Sequence, residues 1–286
     1  MKNHFWILIV IFSIQFASGQ PVKETYQSGI SFFKQGDFEL AAQQFRRVVF
    51  FSDSTSGNAL FYLGDCYMQL ELFDQAVYYY RMAGNTISND SLNQEIKFRI
   101  AACHLKNRQA SYALAELFSV DDSMHPEQQA KMYFYLFCSF YQLHEFDNAN
   151  NYYQMALGET DISALTSIDS LFRVGEKNYM ANVYLPMYLS IIPGLGQLYL
   201  GEWKEALNSF VITAAFATVF VFTAYQLALL DAALMVLPWF HRYYQGGLMR
   251  AKELATIKKN TQDAQIFNQL LDLYSIYSPK SGLEKL

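Results

Sequence analysis

With 286 residues the chain has room for one or two domains, and at 52% apolar residues it is greasier than an average soluble protein. Its net charge of −5 is concentrated between Gln20 and Met180, which argues against a nucleic-acid partner; only the part from His241 onward is basic. Three cysteines, an odd number, exclude a complete disulfide framework.

Residues 1–19, MKNHFWILIVIFSIQFASG, place Lys2 ahead of an apolar core from Phe5 to Phe16, with Ala17 and Gly19 behind it. This is the layout of a cleavable secretory signal. A short N-terminal anchor is the alternative, but about a dozen apolar residues are marginal for the roughly 30 Å of a bilayer core. No cysteine follows the apolar core, so no lipid-modified N-terminus is expected.

From 20 to 160 the chain repeats itself. Residues 26–45, YQSGISFFKQGDFELAAQQF, align with 61–80, FYLGDCYMQLELFDQAVYYY, setting Gly29 on Gly64, Phe38 on Phe73, Ala41 on Ala76 and Phe45 on Tyr80. A third copy carries Ala101, His104, Ala113 and Leu117, and a fourth Phe137, Phe140, Ala149 and Tyr153, for a period of 35 to 37. The expected units are 22–56, 57–93, 94–129 and 130–160. Each reads as two amphipathic helices joined by a short polar turn such as KQGD, with apolar positions at three- and four-residue spacing. Ala41, Ala76, Ala113 and Ala149 meet a physical demand, because a small side chain lets the two helices of one unit approach closely.

This pattern resembles the tetratricopeptide repeat family, over about residues 22–157. The resemblance implies an all-α solenoid of helical hairpins that binds protein partners on its concave face. Carried over position by position, the face is lined by Tyr26, Ile30, Phe33, Phe61, Asp65, Met68, Phe98, Ala102, Leu105, Phe134, Cys138 and Tyr141, with Lys34 and Lys106 at its rim. An aromatic, mostly uncharged groove of this kind suits an apolar segment of a partner protein. The alternative is that the chain's own helix at 162–180, within a linker at 161–181, covers it; with Ile162, Leu165, Ile168, Leu171 and Phe172 on one stripe, that helix is the expected capping element. Ala101 and Phe137 stand where the family has glycine, and Phe137 is expected to prise its helix pair open or shift its register.

Cys66 and Cys103 fall at equivalent positions of neighbouring units, where packed helix axes lie about 8–10 Å apart. A disulfide needs Cα atoms within about 7 Å, so a bridge would require distortion, and all three cysteines read as small buried hydrophobes.

Beyond the repeats lies an apolar run, NVYLPMYLSII, broken by Pro186 and Pro193, within a segment at 182–204. Between Ala206 and Phe240 the only charge is Asp231. Such a stretch as one helix would extend about 50 Å, too long for one crossing, so a transmembrane hairpin at 205–248 is expected, with spans near 206–227 and 230–247. Trp239, Tyr243 and Tyr244 suit an interface. Asp231 sits either at the hairpin tip or, within a span, at a functional position. If 182–204 were a third span the basic tail at 249–286 would lie inside; with two spans and exported repeats it lies outside, against the positive-inside tendency. The tail carries an amphipathic helix at 266–277, with Ile266, Leu270, Leu273 and Tyr277 on one face.

The segment SIIPGLGQLYLG has three glycines but no strand before it and no lysine–serine or lysine–threonine pair after it, so nucleotide binding is not expected. It resembles the PGxGQxYxG motif that precedes a two-span membrane module in a group of bacterial envelope proteins. The matching residues are Pro193, Gly194, Gly196, Gln197, Tyr199 and Gly201, followed by Gly246, Gly247 and Ala251. Proline and glycine can break an apolar segment at membrane depth only where protein satisfies the freed backbone. A re-entrant or interfacial turn is therefore expected, with Gly194 and Gly196 approaching Gly246 and Gly247, Gln197 satisfying backbone groups, and Tyr199 and Trp203 at headgroup level.

His104, His125 and His144 are scattered, and no nucleophile elbow, metal-ligand spacing or phosphate loop is present in the sequence. No enzyme, cofactor, metal or nucleotide is therefore expected. The chain reads as a non-catalytic adaptor of the bacterial envelope, a multi-pass inner-membrane protein with its repeats in the periplasm. The rival reading is a component of a transport or protein-insertion complex in which the PGLGQ segment and Asp231 line a polar path.

Overall fold

A computed structural model describes residues 21–52, 57–120, 124–158 and 162–277; the expected signal segment at 1–19 lies outside them. The described residues form thirteen helices and no strand, in two compact units divided after Gly158.

The first unit is a stack of four antiparallel helix pairs: α1 (Val22–Gln35) with α2 (Phe38–Phe51), α3 (Gly57–Gln69) with α4 (Phe73–Thr86), α5 (Asp90–Lys106) with α6 (Ala110–Phe118), and α7 (Pro126–Gln142) with α8 (Phe146–Leu157). The third and fourth pairs begin at Asp90 and Pro126, four residues ahead of the boundaries drawn from the sequence at 94 and 130. Each pair closes on the same two contacts. The alanines at 41, 76, 113 and 149 are fully buried. Sixteen residues after positions 29, 64, 101 and 137, a large side chain, Phe45, Tyr80, Leu117 or Tyr153, is buried. At Gly29 a Cβ would stand 2.9 Å from the Phe45 ring, and at Gly64 2.6 Å from the Tyr80 ring. Glycine is thus the space into which these aromatics fit.

The fourth pair departs from expectation. Phe137 does not prise α7 from α8: its ring lies fully buried and edge-on to Tyr153, with centroids 4.8 Å apart and planes at 74°. Edge-to-face packing is favourable in its own right, and Ala149 still permits close approach. A pair of aromatic rings fills the volume that a glycine and one ring fill elsewhere.

The four turns share one backbone solution. Gly36, Glu71, Arg108 and His144, at the repeat period, all adopt left-handed φ, at 85°, 59°, 57° and 61°. At each, the left-handed N–H and its successor bond back to carbonyls of the preceding helix, as in Gly36 to Phe33 and Asp37 to Phe32, or Arg108 to Leu105 and Gln109 to His104. This is the Schellman closure. Left-handed φ costs a side-chain-bearing residue about 1–2 kcal/mol, partly offset by the extra unfolded-state freedom of glycine. Arg108→Gly is therefore expected to stabilise the repeat unit by about 0.5–1 kcal/mol, read as a higher denaturant midpoint at unchanged slope.

The second unit contains α9 (Ile162–Met180), two short helices α10 (Leu185–Leu189) and α11 (Leu195–Tyr199), and then α12 (Trp203–Gln226) and α13 (Leu229–Tyr277). Helices α12 and α13 form the expected hairpin, but the second arm does not stop near residue 248. It continues unbroken through the expected tail as one helix of 49 residues, about 74 Å at 1.5 Å per residue. Pro238 lies within it, and a proline removes one helical hydrogen bond. Within the expected amphipathic stretch 266–277 the buried positions are Ile266, Leu270 and Tyr274, so the stripe runs at four-residue spacing and leaves Tyr277 exposed. Helix α9 packs along α13, with Asn178 Nδ2 donating to the Lys259 carbonyl at 2.9 Å. Its buried stripe is Ala164, Ile168 and Phe172, while Ile162 is exposed.

Candidate functional site

The expected groove residues occupy one face of the first helix of each pair, at i, i+4 and i+7. Along this face the environment changes. Tyr26, Ile30, Phe33, Phe61 and Met68 are half-buried, whereas Phe98, Ala102, Leu105, Phe134, Cys138 and Tyr141 are buried. The accessible part therefore lies on α1 and α3. There Tyr62 is a hub that the sequence pattern did not single out: it stacks on Phe45 at 5.4 Å and meets Phe33 at 5.7 Å and Tyr26 at 6.3 Å, edge-on. These contacts fix Tyr26 and Phe33 in place.

One carboxylate sits on this face. Asp65, equivalent to Ile30, Ala102 and Cys138, is buried and accepts a hydrogen bond of 2.5 Å from the Tyr80 hydroxyl, which also lies 3.7 Å from the Met68 sulfur. Burial, and then the Asp65 carboxylate, push the Tyr80 phenol far above its ordinary range, so it remains a donor. Arg99 Nη1 stands 3.7 Å from Asp65 while its Nε bonds Glu95 at 3.1 Å, and Lys131 completes the row with 2.7 Å to Glu95 and 5.2 Å to the Phe98 ring. Charges thus alternate across α3, α5 and α7, which ties three successive repeats together.

The three cysteines are buried thiols. Burial raises Cys66 and Cys103 to about 12 and raises Cys138 further, so none is a thiolate near neutrality. His104 is half-buried, stacked on Tyr112 at 5.5 Å with Nδ1 2.9 Å from Gln109 Oε1. Among the described residues no three metal-ligating side chains converge.

In the second unit the PGLGQ segment folds into the open end of the hairpin. Gly194 has φ 86° and lies so close to α12 that a Cβ would meet the Ala206 carbonyl oxygen at 2.4 Å. A Cβ on Gly196 would stand 1.8 Å from the Pro186 carbonyl oxygen. The glycines therefore approach α12 and α10, not Gly246 and Gly247 as expected from sequence. It is Gln197 that reaches the long helix. Its side chain is buried, Nε2 donates to the Gly247 carbonyl at 2.8 Å, and Oε1 lies 3.1 Å from Ser190 Oγ, whose hydroxyl also faces the Pro186 carbonyl at 2.9 Å. Tyr244 Oη donates to the Ile191 carbonyl at 2.8 Å, so the segment is tied to α13 at a second point. Gly201, with φ 86°, ends α11 with the Schellman pattern of the repeat turns. Pro193 is half-buried, whereas Tyr199 and Trp203 are exposed.

Asp231 lies in the first turn of α13, exposed, at the opposite end of the hairpin. Sixteen helical residues, about 24 Å, separate it from Gly247, where Gln197 docks. The structure does not bring the PGLGQ segment and Asp231 to one site.

The fold and the face together define an all-α helical-repeat protein with an appended helical hairpin. Residues 26–90, the first two helix pairs, match the tetratricopeptide repeat family model. No curated protein matches the chain.

Proposed function

We propose that the chain is a non-catalytic adaptor that binds a protein partner on the α1–α3 face of its repeats and is held in a membrane of the bacterial envelope by the α12–α13 hairpin, with the repeats on the exported side. The family match supports protein binding, since tetratricopeptide repeats are interaction scaffolds. One observation carries the anchoring. Helix α12 is long and apolar enough to cross a membrane, yet almost none of it is buried. Phe210, Val219, Val221 and Phe222, and across the hairpin Leu230, Leu234, Met235 and Trp239, are all about half exposed or more. Water does not stabilise so large a contiguous apolar surface, whereas hydrocarbon does. The buried positions of the two arms are mostly small, Ala206, Ala232 and Ala251 beside Val236, and a Cβ on Gly247 would stand 2.9 Å from Ser209 Oγ, as helix packing in lipid favours.

The partner on this reading offers apolar side chains, which the half-exposed Tyr26, Ile30, Phe61 and the adaptable Met68 accept. A photocrosslinking residue placed at Met68 in the full-length protein is expected to yield a discrete adduct in cells, and one at Tyr112 on α6 is not. Ile30→Ser with Phe61→Ala should lower the adduct yield about tenfold, the loss of roughly 1–2 kcal/mol of apolar burial. Equal yields from both crosslinker positions would refute the groove assignment. Resistance of the full chain to alkaline carbonate extraction checks the anchor.

A further inference from the structure

The foot of the hairpin, where α10 and α11 pack against α13, presents two kinds of group side by side. Tyr188, Ile191, Leu198, Tyr199 and Trp203 point outward and are each more than half exposed. Next to them stand lysines that find aromatic rings or carbonyl oxygens instead of carboxylates. Lys252 Nζ lies 4.3 Å above the Tyr184 ring, Lys258 Nζ donates to the Leu200 carbonyl at 3.0 Å, and Lys204 Nζ lies 5.7 Å from the Trp203 ring. Arg250 differs: it is paired with Glu205 at 2.9 Å and Glu253 at 3.0 Å.

The length of the arms fixes the depth of these groups. Counting about 30 Å of hydrocarbon from the tip at 1.5 Å per residue takes twenty residues. That distance reaches Ala206 going back along α12 from Gln226 and Met249 going forward along α13 from Leu229. The paired Glu205 and Arg250 are the first charges past this boundary on either arm, and Lys204, Lys252 and Lys258 lie beyond them. The exposed aromatics fall in the same layer, where tyrosine and tryptophan are favoured. At the other end of the hairpin, residues 226–231 hold no lysine or arginine and one aspartate. Within the counted stretch the one lysine or arginine is Arg242, thirteen residues from Leu229, and every lysine of the two arms lies past the boundary at the foot.

We propose that Lys204, Lys252 and Lys258 form a collar that binds the phosphate groups of anionic phospholipids in the bilayer. This rests on the membrane reading above and adds to it a lipid class and the residues that select it. Each lysine at the surface of an anionic membrane is worth about fivefold, so a preference of about tenfold or more is expected from three.

The full-length protein, reconstituted in vesicles containing equal phosphatidylglycerol and phosphatidylcholine, is extracted gently and its retained lipids are counted by native mass spectrometry. The wild type is expected to keep phosphatidylglycerol over phosphatidylcholine by about tenfold. The triple Lys204→Gln, Lys252→Gln, Lys258→Gln variant should fall to within about twofold, while the triple lysine-to-arginine variant keeps the preference. A wild type without preference, a glutamine variant that retains it, or an arginine variant that loses it overturns the collar. Carbonate extraction of the same vesicles separates the two ideas. Release of the wild type by carbonate sinks the membrane reading and the collar with it, whereas a carbonate-resistant wild type without lipid preference overturns the collar alone.

Discussion

Gly196→Val is expected to unseat the foot of the hairpin while leaving the repeat unit folded. Even a single Cβ at this position would stand 1.8 Å from the Pro186 carbonyl oxygen, 2.8 Å from its carbonyl carbon and 2.2 Å from Ser190 Oγ. Two of these are backbone atoms of α10, so no rotamer change relieves the clash and α10 must move. That movement takes Ser190 from Gln197 and pulls Gln197 from the Gly247 carbonyl. Overpacking costs about 1–3 kcal/mol, and leaving a buried amide and carbonyl unpaired adds about 1–3 kcal/mol. A total of about 3–5 kcal/mol is expected. Hydrogen exchange on the full chain in detergent should show protection lost over 185–200 and over α13 near Gly247, with α1 to α8 unchanged. Undiminished protection in α10 and α11 would show that the close approach is not structural. Protection lost uniformly over α1 to α8 would show that the two units do not unfold separately.

Phe137→Gly should destabilise the fourth repeat although it restores the residue that the first two repeats carry at the equivalent position. Glycine at 29 and 64 is useful because Phe45 and Tyr80 occupy the space above it. At 137 that space holds the phenyl ring itself, fully buried and edge-on to Tyr153. Removing it leaves a cavity of side-chain size, worth about 3–5 kcal/mol, and placing glycine inside a helix adds up to about 1 kcal/mol. Phe137→Leu keeps most of the volume and should cost about 1–2 kcal/mol, since hydrophobic swaps near constant volume are the mildest. Denaturant melts of the two variants against wild type order the losses. A glycine variant as stable as wild type would mean that Tyr153 swings in to fill the site, and the edge-on packing would carry no energy.

Both arguments concern the same physical quantity, the volume between two close backbones, and it is what sequence periodicity reads least well. The alanines at 41, 76, 113 and 149 are legible in the sequence, because small residues recurring at one phase of an amphipathic pattern mark where two helices must close up, whereas the seating of Phe45 over Gly29 and of Tyr80 over Gly64 is seen only in the structure. Phe137 reads there as a wedge and is not one, because the pattern gives its size but not the tilt of the ring it meets. The turns are half legible. KQGD announces itself by its glycine, but Glu71, Arg108 and His144 adopt the same left-handed backbone with no residue signal at all.

The C-terminal half divides in the same way. A run from Ala206 to Phe240 interrupted by one charge is too long for a single crossing on the proposed membrane reading, and from that the hairpin is expected. Gln197 stands out in the sequence as a residue to satisfy backbone groups, and it does so. Its partner, the Gly247 carbonyl fifty residues away, depends on how α10 and α11 fold into the hairpin's open end, as do the unexpected neighbours of Gly194 and Gly196. The continuity of α13 to Tyr277 is hidden because the composition shifts from apolar to charged near Arg250, and such a shift resembles a boundary.

By itself the sequence determined the all-α class, the paired helices of the repeats and the alanines on which they close, because each is written in local spacing: 3.6 residues per turn and about 35 per repeat. Only the tertiary structure decided which groove positions remain accessible, that Asp65 is held by Tyr80 and Arg99, and that Lys204, Lys252 and Lys258 find aromatic rings or a carbonyl at the foot of the hairpin. Those outcomes depend on which helix faces meet at long sequence separation. Spacing along one chain carries no record of that.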